Sequence, residues 1–153
     1  MSEPAKGMLD MSGREETPRR AVAEGYLVAD PDAIEALRAN KLPKADPLPT
    51  ARAAALLAVK ATPGLIPHCH PIRVTAAQVD FEFSANAIRV QCEVSACDRT
   101  GPQMEALAGV TVALLTLYDV VKNVCPTAVL DRISLVEKEG GRSGHWRRGD
   151  GDA

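Results

Sequence analysis

Aromatic side chains are scarce in this sequence, since two Phe, two Tyr and one Trp make up only 3% of 153 residues. Hydrophobic residues still form 46% of the chain, so its core must consist mainly of Ala, Val, Leu and Ile. Small side chains bury little apolar area each, and association with further copies is one way to compensate for that. The length fits one domain that can bury a core without disulfides or metals.

A strong net charge is also missing, because 18 Lys and Arg residues stand against 20 Asp and Glu residues, for a net charge of −2. So balanced a chain has no overall field to attract nucleic acid, and we expect no nucleic-acid partner. No uncharged apolar run reaches the roughly 18 residues of a membrane-spanning helix, and the first residues lack the apolar core of a signal peptide. We therefore expect a cytoplasmic protein with no membrane partner.

Cysteine pairs of the CxxC type are absent, although cysteines occur at positions 69, 92, 97 and 125. Without a signal peptide these are expected to be reduced thiols. His68, Cys69 and His70 are all metal-ligand types, and a metal-binding protein using them is one hypothesis. Adjacent residues on an extended chain point to opposite sides, however, and no second ligand pair completes four ligands. The sequence therefore predicts no metal site and no cofactor, although a divalent ion could accompany a phosphorylated ligand.

The predicted element order is β α α β β α β. Strands are predicted over residues 20–29, 72–83, 88–95 and 129–138, and helices over residues 31–39, 50–60 and 102–122. The alternation of apolar and polar residues from Ile88 to Ser95 indicates an antiparallel hairpin with the strand before it.

This order fits an α+β fold, namely a ferredoxin-like βαββαβ core with an antiparallel sheet and helices packed on one face. We predict a flexible N-terminal arm over residues 1–16, a single ferredoxin-like domain over 17–139 and a flexible, Gly-rich, basic tail over 140–153.

The predicted helix 102–122 is apolar around most of its circumference and carries few charges. Its apolar residues recur at helical spacing and predict one buried stripe, composed of Met104, Leu107, Ala108, Thr111, Leu114, Leu115, Tyr118 and Val121. Asp119 and Lys122 lie three positions apart and therefore share a face. A weak surface ion pair is the simplest interpretation, and an acid–base pair in apolar surroundings is the alternative.

Two further segments could bind an anion. Lys44 precedes the predicted helix 50–60, whose N-terminal N–H groups and dipole favour negative charge, although a solvated lysine is the simpler interpretation. The Gly-rich segment 140–148 could surround a phosphate with backbone N–H groups, but it lacks the Walker spacing and fits a flexible terminus equally well.

Taken together, these segments resemble the molybdenum cofactor biosynthesis protein C family over about residues 8–148. The matching segments are Met8–Ser12 with Thr17 and Arg19, Lys44–Asp46, Leu65–Pro71, Thr100–Leu107, Leu117–Asp119 with Lys122, and Lys138 with Gly140–Gly144. The resemblance implies a ferredoxin-like homohexamer, a trimer of dimers with its active site at a dimer interface. It also implies a lyase that converts 3′,8-cyclo-7,8-dihydro-GTP into cyclic pyranopterin monophosphate and releases pyrophosphate.

The resemblance also assigns roles to individual residues. By position, Asp119, Lys122 and Lys44 match the family's catalytic residues. Substrate contacts are expected from His68, Cys69, His70, Met104 and Glu105, and contacts near the phosphates from Arg19 and Lys138. Arg142 could supply a further cation.

Five residues depart from the pattern that the resemblance implies. His68 stands where Leu is usual, Ala45 where Gly is usual, Gln103 where Glu is usual, and Arg14 and Arg142 where Lys is more usual. Of these, His68 and Gln103 change the polarity or charge of the side chain, and they bear more on the details of substrate contact than on the reaction. A non-catalytic, nucleotide-binding regulatory module of the same fold is the alternative function, and it would need Lys44 and the tail but not Asp119.

Overall fold

A computed structural model describes residues 3–150, which form five β-strands and three α-helices. The strands are β1 (Thr17–Val28), β2 (Val74–Phe83), β3 (Ala87–Asp98), β4 (Val129–Glu139) and β5 (His145–Arg147). The helices are α1 (Pro31–Arg38), α2 (Pro47–Leu65) and α3 (Gln103–Val121). The first two residues of the predicted arm and the last three of the predicted tail lie outside the described residues.

The five strands form one sheet in the order β2-β3-β1-β4-β5, and every neighbouring pair is antiparallel. The first four strands have the order of a ferredoxin-like fold, in which helices connect each central strand, β1 or β3, to an outer strand, β2 or β4. Helix α3 packs on β1, β3 and β4, and α2 packs beside it on β2. The predicted α+β class and ferredoxin-like core are therefore confirmed.

The core lies between this sheet and the two long helices. The alternation predicted for β3 is confirmed, because Ile88, Val90, Cys92 and Val94 are all fully buried. Helix α3 can approach β3 closely because Gly109 has no side chain, and an added Cβ there would lie 2.8 Å from the Cys92 sulfur. A larger residue at this position would push α3 away from β3.

The buried face of α3 differs from the predicted stripe. Its buried residues are Glu105, Ala106, Gly109, Val110, Ala113, Leu114, Leu117, Val120 and Val121. Two members of the predicted stripe are exposed, Met104 by 39% and Leu115 by 52%. Apolar residues surround nearly the whole helix, so their spacing alone did not distinguish the face of small residues that fits the sheet.

By length and composition, α3 could also cross a membrane, although no membrane-spanning helix was predicted from the sequence. Half of the most apolar part of α3 is buried inside the protein, against the sheet and α2. Its apolar character is thus explained by its position in the core.

Helix α2 is longer than predicted and continues through Pro63 to Leu65. The segment Thr62–Gly64 was predicted to end the helix, and that prediction is wrong. Ala55, Ala58, Val59 and Thr62 are buried, so packing favours the helical conformation to its last turn. Proline removes one backbone hydrogen bond there, which tertiary contacts offset.

Strand β5 lies inside the segment predicted as a flexible tail and was not predicted from the sequence. Its residues pair with the end of β4, with Trp146 opposite Lys138 and His145 opposite Glu139. The Gly140 N–H donates to the Gly144 carbonyl across a turn in which both residues have positive φ angles of 101° and 62°. The glycines that indicated mobility therefore form a hairpin turn.

Candidate active site

The candidate site residues lie in groups at opposite ends of α3. Glu105 lies in the first turn of the helix and Asp119 in the last, fourteen positions later. At 1.5 Å per residue, this places the two about 21 Å apart along the helix axis. One chain therefore carries two separate halves of the predicted site.

At the C-terminal end, Asp119 contacts two lysines in what we call the lysine–aspartate cluster, Lys44, Asp119 and Lys122. Lys44 Nζ lies 2.5 Å from Asp119 Oδ2, and Lys122 Nζ lies 2.8 Å from Asp119 Oδ1. The side chains are 45–50% exposed. The ion pair expected from the spacing of Asp119 and Lys122 is present, and Lys44 joins it from 75 positions away.

Lys44 reaches this cluster from a loop that two side chains close. Asn40 Nδ2 donates to Asp46 Oδ1 at 3.1 Å, and the Asp46 backbone N–H donates to Asn40 Oδ1 at 2.9 Å. Asn40 and Asp46 both have left-handed backbone conformations, which Asn and Asp adopt more readily than most residues. This pair was not predicted from the sequence, although Asn and Asp at the two ends of a loop were a signal for it.

The cluster carries one net positive charge at neutral pH. Lys122 and then Lys44 lower the pKa of Asp119 to about 2, so its side chain is a carboxylate. The same contact with Asp119 raises the pKa of Lys122. A carboxylate held by two ammonium groups is a poor base, and it becomes a better one if an anion draws a lysine away.

At the N-terminal end of α3, a cavity of 380 Å³ brings together five predicted substrate-binding residues, and we call it the histidine cavity. Its lining comes from the arm (Ala5, Gly7, Leu9 and Met11), from the loop after α2 (His68, Cys69 and His70), from the turn before α3 (Thr100 and Gly101) and from the first turn of α3 (Met104 and Glu105). No residue of the arm was among the candidate site residues from the sequence, although its apolar segment Met8–Ser12 is one of the segments that match the family.

Glu105 is the most deeply buried charged group of this cavity, with 2% of its surface exposed. Burial raises its pKa, and its side-chain partner is the Cys69 thiol, which donates to Oε1 at 3.8 Å. Burial, followed by the nearby Glu105 charge, raises the pKa of Cys69, so this thiol is not an activated nucleophile. A thiol is a weak donor, which leaves the carboxylate able to accept stronger hydrogen bonds from a ligand.

His70 contacts the arm through its ring. Nε2 lies 2.7 Å from the Leu9 carbonyl oxygen. A carbonyl oxygen only accepts hydrogen bonds, so Nε2 carries the hydrogen, and Nδ1 of the neutral ring is an acceptor. His68 lines the same cavity but is more exposed than His70.

A second cavity of 690 Å³, which we call the basic cavity, lies between the arm and the β4–β5 turn. It is lined by Gly13, Arg14, Glu15, Thr17, Arg19, Gly141, Arg142 and Ser143. Three guanidinium groups around one opening suit an anion such as phosphate. Arg19 and Arg142 were candidates from the sequence, whereas Arg14 was not assigned a role.

Arg19 is fixed by backbone contacts, because its Nε donates to the Asp98 carbonyl at 3.1 Å. Lys138 is not part of the lining of the basic cavity. It lies on β4 opposite Ala21, two positions along β1 from Arg19. The structure thus brings Arg19 to a basic cavity and places Lys138 near it in the sheet.

Glu137, Glu139 and His145 also converge, with potential metal-ligand atoms all within 4.8 Å of one another. Arg20 contacts both carboxylates, at 2.7 Å from Glu137 and 3.4 Å from Glu139. Arg20, followed by His145, lowers the pKa of Glu137 to about 2. The guanidinium already supplies the positive charge, so this group is an ionic anchor for β5.

Comparison with known proteins adds two findings. A family model described as "MoaC family" matches residues 8–141. The chain is 43% identical over 144 residues to a cyclic pyranopterin monophosphate synthase of Streptomyces avermitilis, covering 94% of this chain and 85% of that protein. It is 44% identical over 140 residues to one of Novosphingobium aromaticivorans, covering 92% and 89% of the two chains. The "cyclic pyranopterin monophosphate synthase 2" of Mycobacterium tuberculosis is 44% identical over 144 residues, with 94% and 86% covered.

Proposed function

Because the chain belongs to the MoaC family, we propose that it is a cyclic pyranopterin monophosphate synthase of molybdenum cofactor biosynthesis. As a lyase it would convert 3′,8-cyclo-7,8-dihydro-GTP into cyclic pyranopterin monophosphate and release pyrophosphate. The family match carries this proposal, since it includes arm residues 8–16, most of the lining of the histidine cavity, both ends of α3 and Arg19. The relatives bear the name of an enzyme, so a non-catalytic regulatory module is not favoured.

The histidine cavity is where we place the base of the substrate. A purine-derived ring presents N–H donors, which the buried Glu105 carboxylate and the bare Nδ1 of His70 can accept. Cys69 and Met104 provide an apolar wall beside these acceptors. An apolar pocket with a few placed polar groups is the usual form of a small-molecule site.

The triphosphate would lie against the basic groups. Arg14, Arg19 and Arg142 line the basic cavity, and Lys138 lies nearby in the sheet. Cations around the phosphates stabilise the charge that develops when a phosphodiester closes and pyrophosphate leaves. We propose that the protein holds no cofactor for this step, and a divalent ion could arrive with the phosphates.

Acid–base chemistry is assigned to the lysine–aspartate cluster. Rebuilding a purine into a pterin needs proton transfers at nitrogen and oxygen, which a carboxylate beside an ammonium group can provide. A substrate phosphate would compete with Asp119 for Lys44 or Lys122. Asp119 would then lose one of the contacts that lower its pKa, and it would become a better base.

These assignments require a site shared between copies of the chain. The lysine–aspartate cluster and the histidine cavity are at opposite ends of α3, yet both must reach one small substrate. We propose that a second copy brings its cluster to the cavity of the first, within a homohexamer arranged as a trimer of dimers. Exposed apolar side chains support association, among them Leu57 on α2 and Leu115 on α3, which are 66% and 52% exposed.

We also infer a cytoplasmic location. All four cysteines are free thiols, and two of them, Cys92 and Cys125, are buried. Free thiols persist in reducing compartments, whereas secreted domains tend to pair theirs.

The proposed function is tested by incubating the purified protein with 3′,8-cyclo-7,8-dihydro-GTP and oxidising the product to a fluorescent pterin. We expect pterin and pyrophosphate to form in equal amounts, and Asp119→Asn to form both far more slowly. A folded wild-type protein that leaves the substrate unchanged would reject the proposal.

A further inference from the structure

The arm approaches the histidine cavity through a turn that one side chain holds. Asp10 Oδ1 accepts a hydrogen bond from the Ser12 backbone N–H at 2.9 Å. Immediately before this turn, the Leu9 carbonyl accepts the Nε2 hydrogen of His70 at 2.7 Å. Leu9 and Met11, on either side of Asp10, both line the cavity, whereas Asp10 does not. The exposed Asp10 carboxylate therefore stabilises the turn of the arm and does not itself line the cavity.

The arm is also held at its base, which limits where the turn can lie. Glu16 pairs with Arg73 and lies 3.9 Å from Arg99, and Arg99 Nε donates to the Arg14 carbonyl at 3.2 Å. The Arg14 N–H donates to the Met11 carbonyl at 3.0 Å, which continues the turn toward this base. The arm therefore has a fixed end near Glu16 and a second attachment at His70, with the Asp10 turn between them.

We propose that Asp10 is a positioning residue of the base site, because the turn it holds keeps the Leu9 carbonyl on His70 and keeps Leu9 and Met11 as a wall of the histidine cavity. This inference rests on the proposed function for the identity of the ligand. The contact with Leu9 keeps the hydrogen of the neutral His70 ring on Nε2, so that Nδ1 is the acceptor for an N–H of the substrate. The role requires an acceptor oxygen at position 10 and no charge.

Two substitutions of Asp10 distinguish the effect of its acceptor oxygen from the effect of its charge. Asp10→Asn retains Oδ1 as an acceptor for Ser12, whereas Asp10→Ala removes it. We expect Asp10→Ala to raise KM about tenfold with a much smaller change in kcat, as the loss of one ligand hydrogen bond would. The KM and kcat of Asp10→Asn should stay close to those of the wild type. Lys6→Ala, on the arm but outside the cavity lining, controls for general changes in the arm.

A second readout does not depend on turnover. The chain has three histidines, so ¹⁵N-labelled histidine gives few ring signals, and His70→Gln identifies the signal of His70. The wild type and Asp10→Asn should show the Nε2–H form, and the Ser12 amide should exchange slowly with solvent. In Asp10→Ala both ring forms should be present, and the Ser12 amide should exchange faster.

These results separate the possible failures. If Asp10→Asn raises KM as much as Asp10→Ala does, the charge of Asp10 matters and the inference is overturned. An unchanged KM and an unchanged His70 ring signal in Asp10→Ala would overturn it as well. If the wild type lacks turnover while the ring and amide signals respond as expected, the proposed function fails and the positioning of His70 by Asp10 stands.

Discussion

Glu105 and Asp119 lie on one helix but at its opposite ends, about 21 Å apart along the axis. Glu105 is buried in the histidine cavity, and Asp119 is half-exposed between two lysines. Each has the surroundings that its expected role requires, yet no one chain places both on the same small ligand. The distance is the physical reason for proposing a site shared between two copies.

The first prediction concerns the lysine–aspartate cluster. Asp119→Asn and Lys122→Met should each lower kcat by about a hundredfold or more if these groups transfer protons. Thermal stability should change little, because exposed ion pairs contribute little to folding. Asp131→Asn is the matched control, since Asp131 pairs with Arg132 at 3.1 Å in a similarly exposed position. Near-normal turnover in Asp119→Asn would mean that the cluster is a surface ion pair without a catalytic role.

The second prediction separates binding from stability at Glu105. Its buried carboxyl has a raised pKa, so the charged form is costly at neutral pH. Glu105→Gln should therefore raise Tm by about 2 °C at pH 7.5 while raising KM at least tenfold, because the base loses a charged acceptor. The gain in Tm should shrink below pH 4.5, where the wild-type group is protonated in both the folded and the unfolded chain. If Glu105→Gln is less stable than the wild type at pH 7.5, the Glu105 carboxylate is better stabilised in the folded chain than its contacts indicate.

The third prediction compares the two histidines of the cavity. His70→Ala should lose most activity, because it removes both the contact with Leu9 and the Nδ1 acceptor. His68→Leu should stay active, because His68 is more exposed than His70 and the resemblance noted from the sequence implies Leu at this position. Steady-state kinetics of both variants tests this. The reverse ranking would move the base contact from His70 to His68.

The sequence was most informative where a pattern is local. The alternation from Ile88 to Val94 predicted a strand buried on one face, and the spacing of Asp119 and Lys122 predicted their contact. Both depend on geometry that repeats within a few residues. The element order then left few alternatives to a ferredoxin-like sheet.

Contacts between distant parts of the chain could not be predicted in this way. His70 meets Leu9 across 61 positions and Lys44 meets Asp119 across 75, and no local rule connects them. The buried face of α3 was mispredicted because the helix is apolar almost all round. Strand β5 was missed because glycines that form a turn resemble glycines of a mobile tail until a partner strand is known.

The fourth prediction concerns acid stability at the ionic anchor of β5. Arg20 and His145 lower the pKa of Glu137 from 4.5 to about 2. A lowered pKa stabilises the folded state above pH 4.5, and this contribution is lost as the pH falls from about 4.5 to 2. Glu137→Gln should therefore lower Tm at pH 7. Its Tm should also fall less steeply than that of the wild type between about pH 4.5 and 2. Equal slopes for the wild type and Glu137→Gln would show that Arg20 does not stabilise the charged form in the folded chain.

The central claim is that one site takes Asp119 from one copy and Glu105 with His70 from another. Asp119→Asn and His70→Ala should each be inactive alone, and mixing them under conditions of subunit exchange should restore activity. In an exchanged dimer, one of the two symmetric sites carries both substitutions and the other carries neither, so a 1:1 mixture should reach about a quarter of wild-type activity. Native mass spectrometry confirms that mixed assemblies have formed. Mixed assemblies with no activity above that of the parents would contradict a shared site.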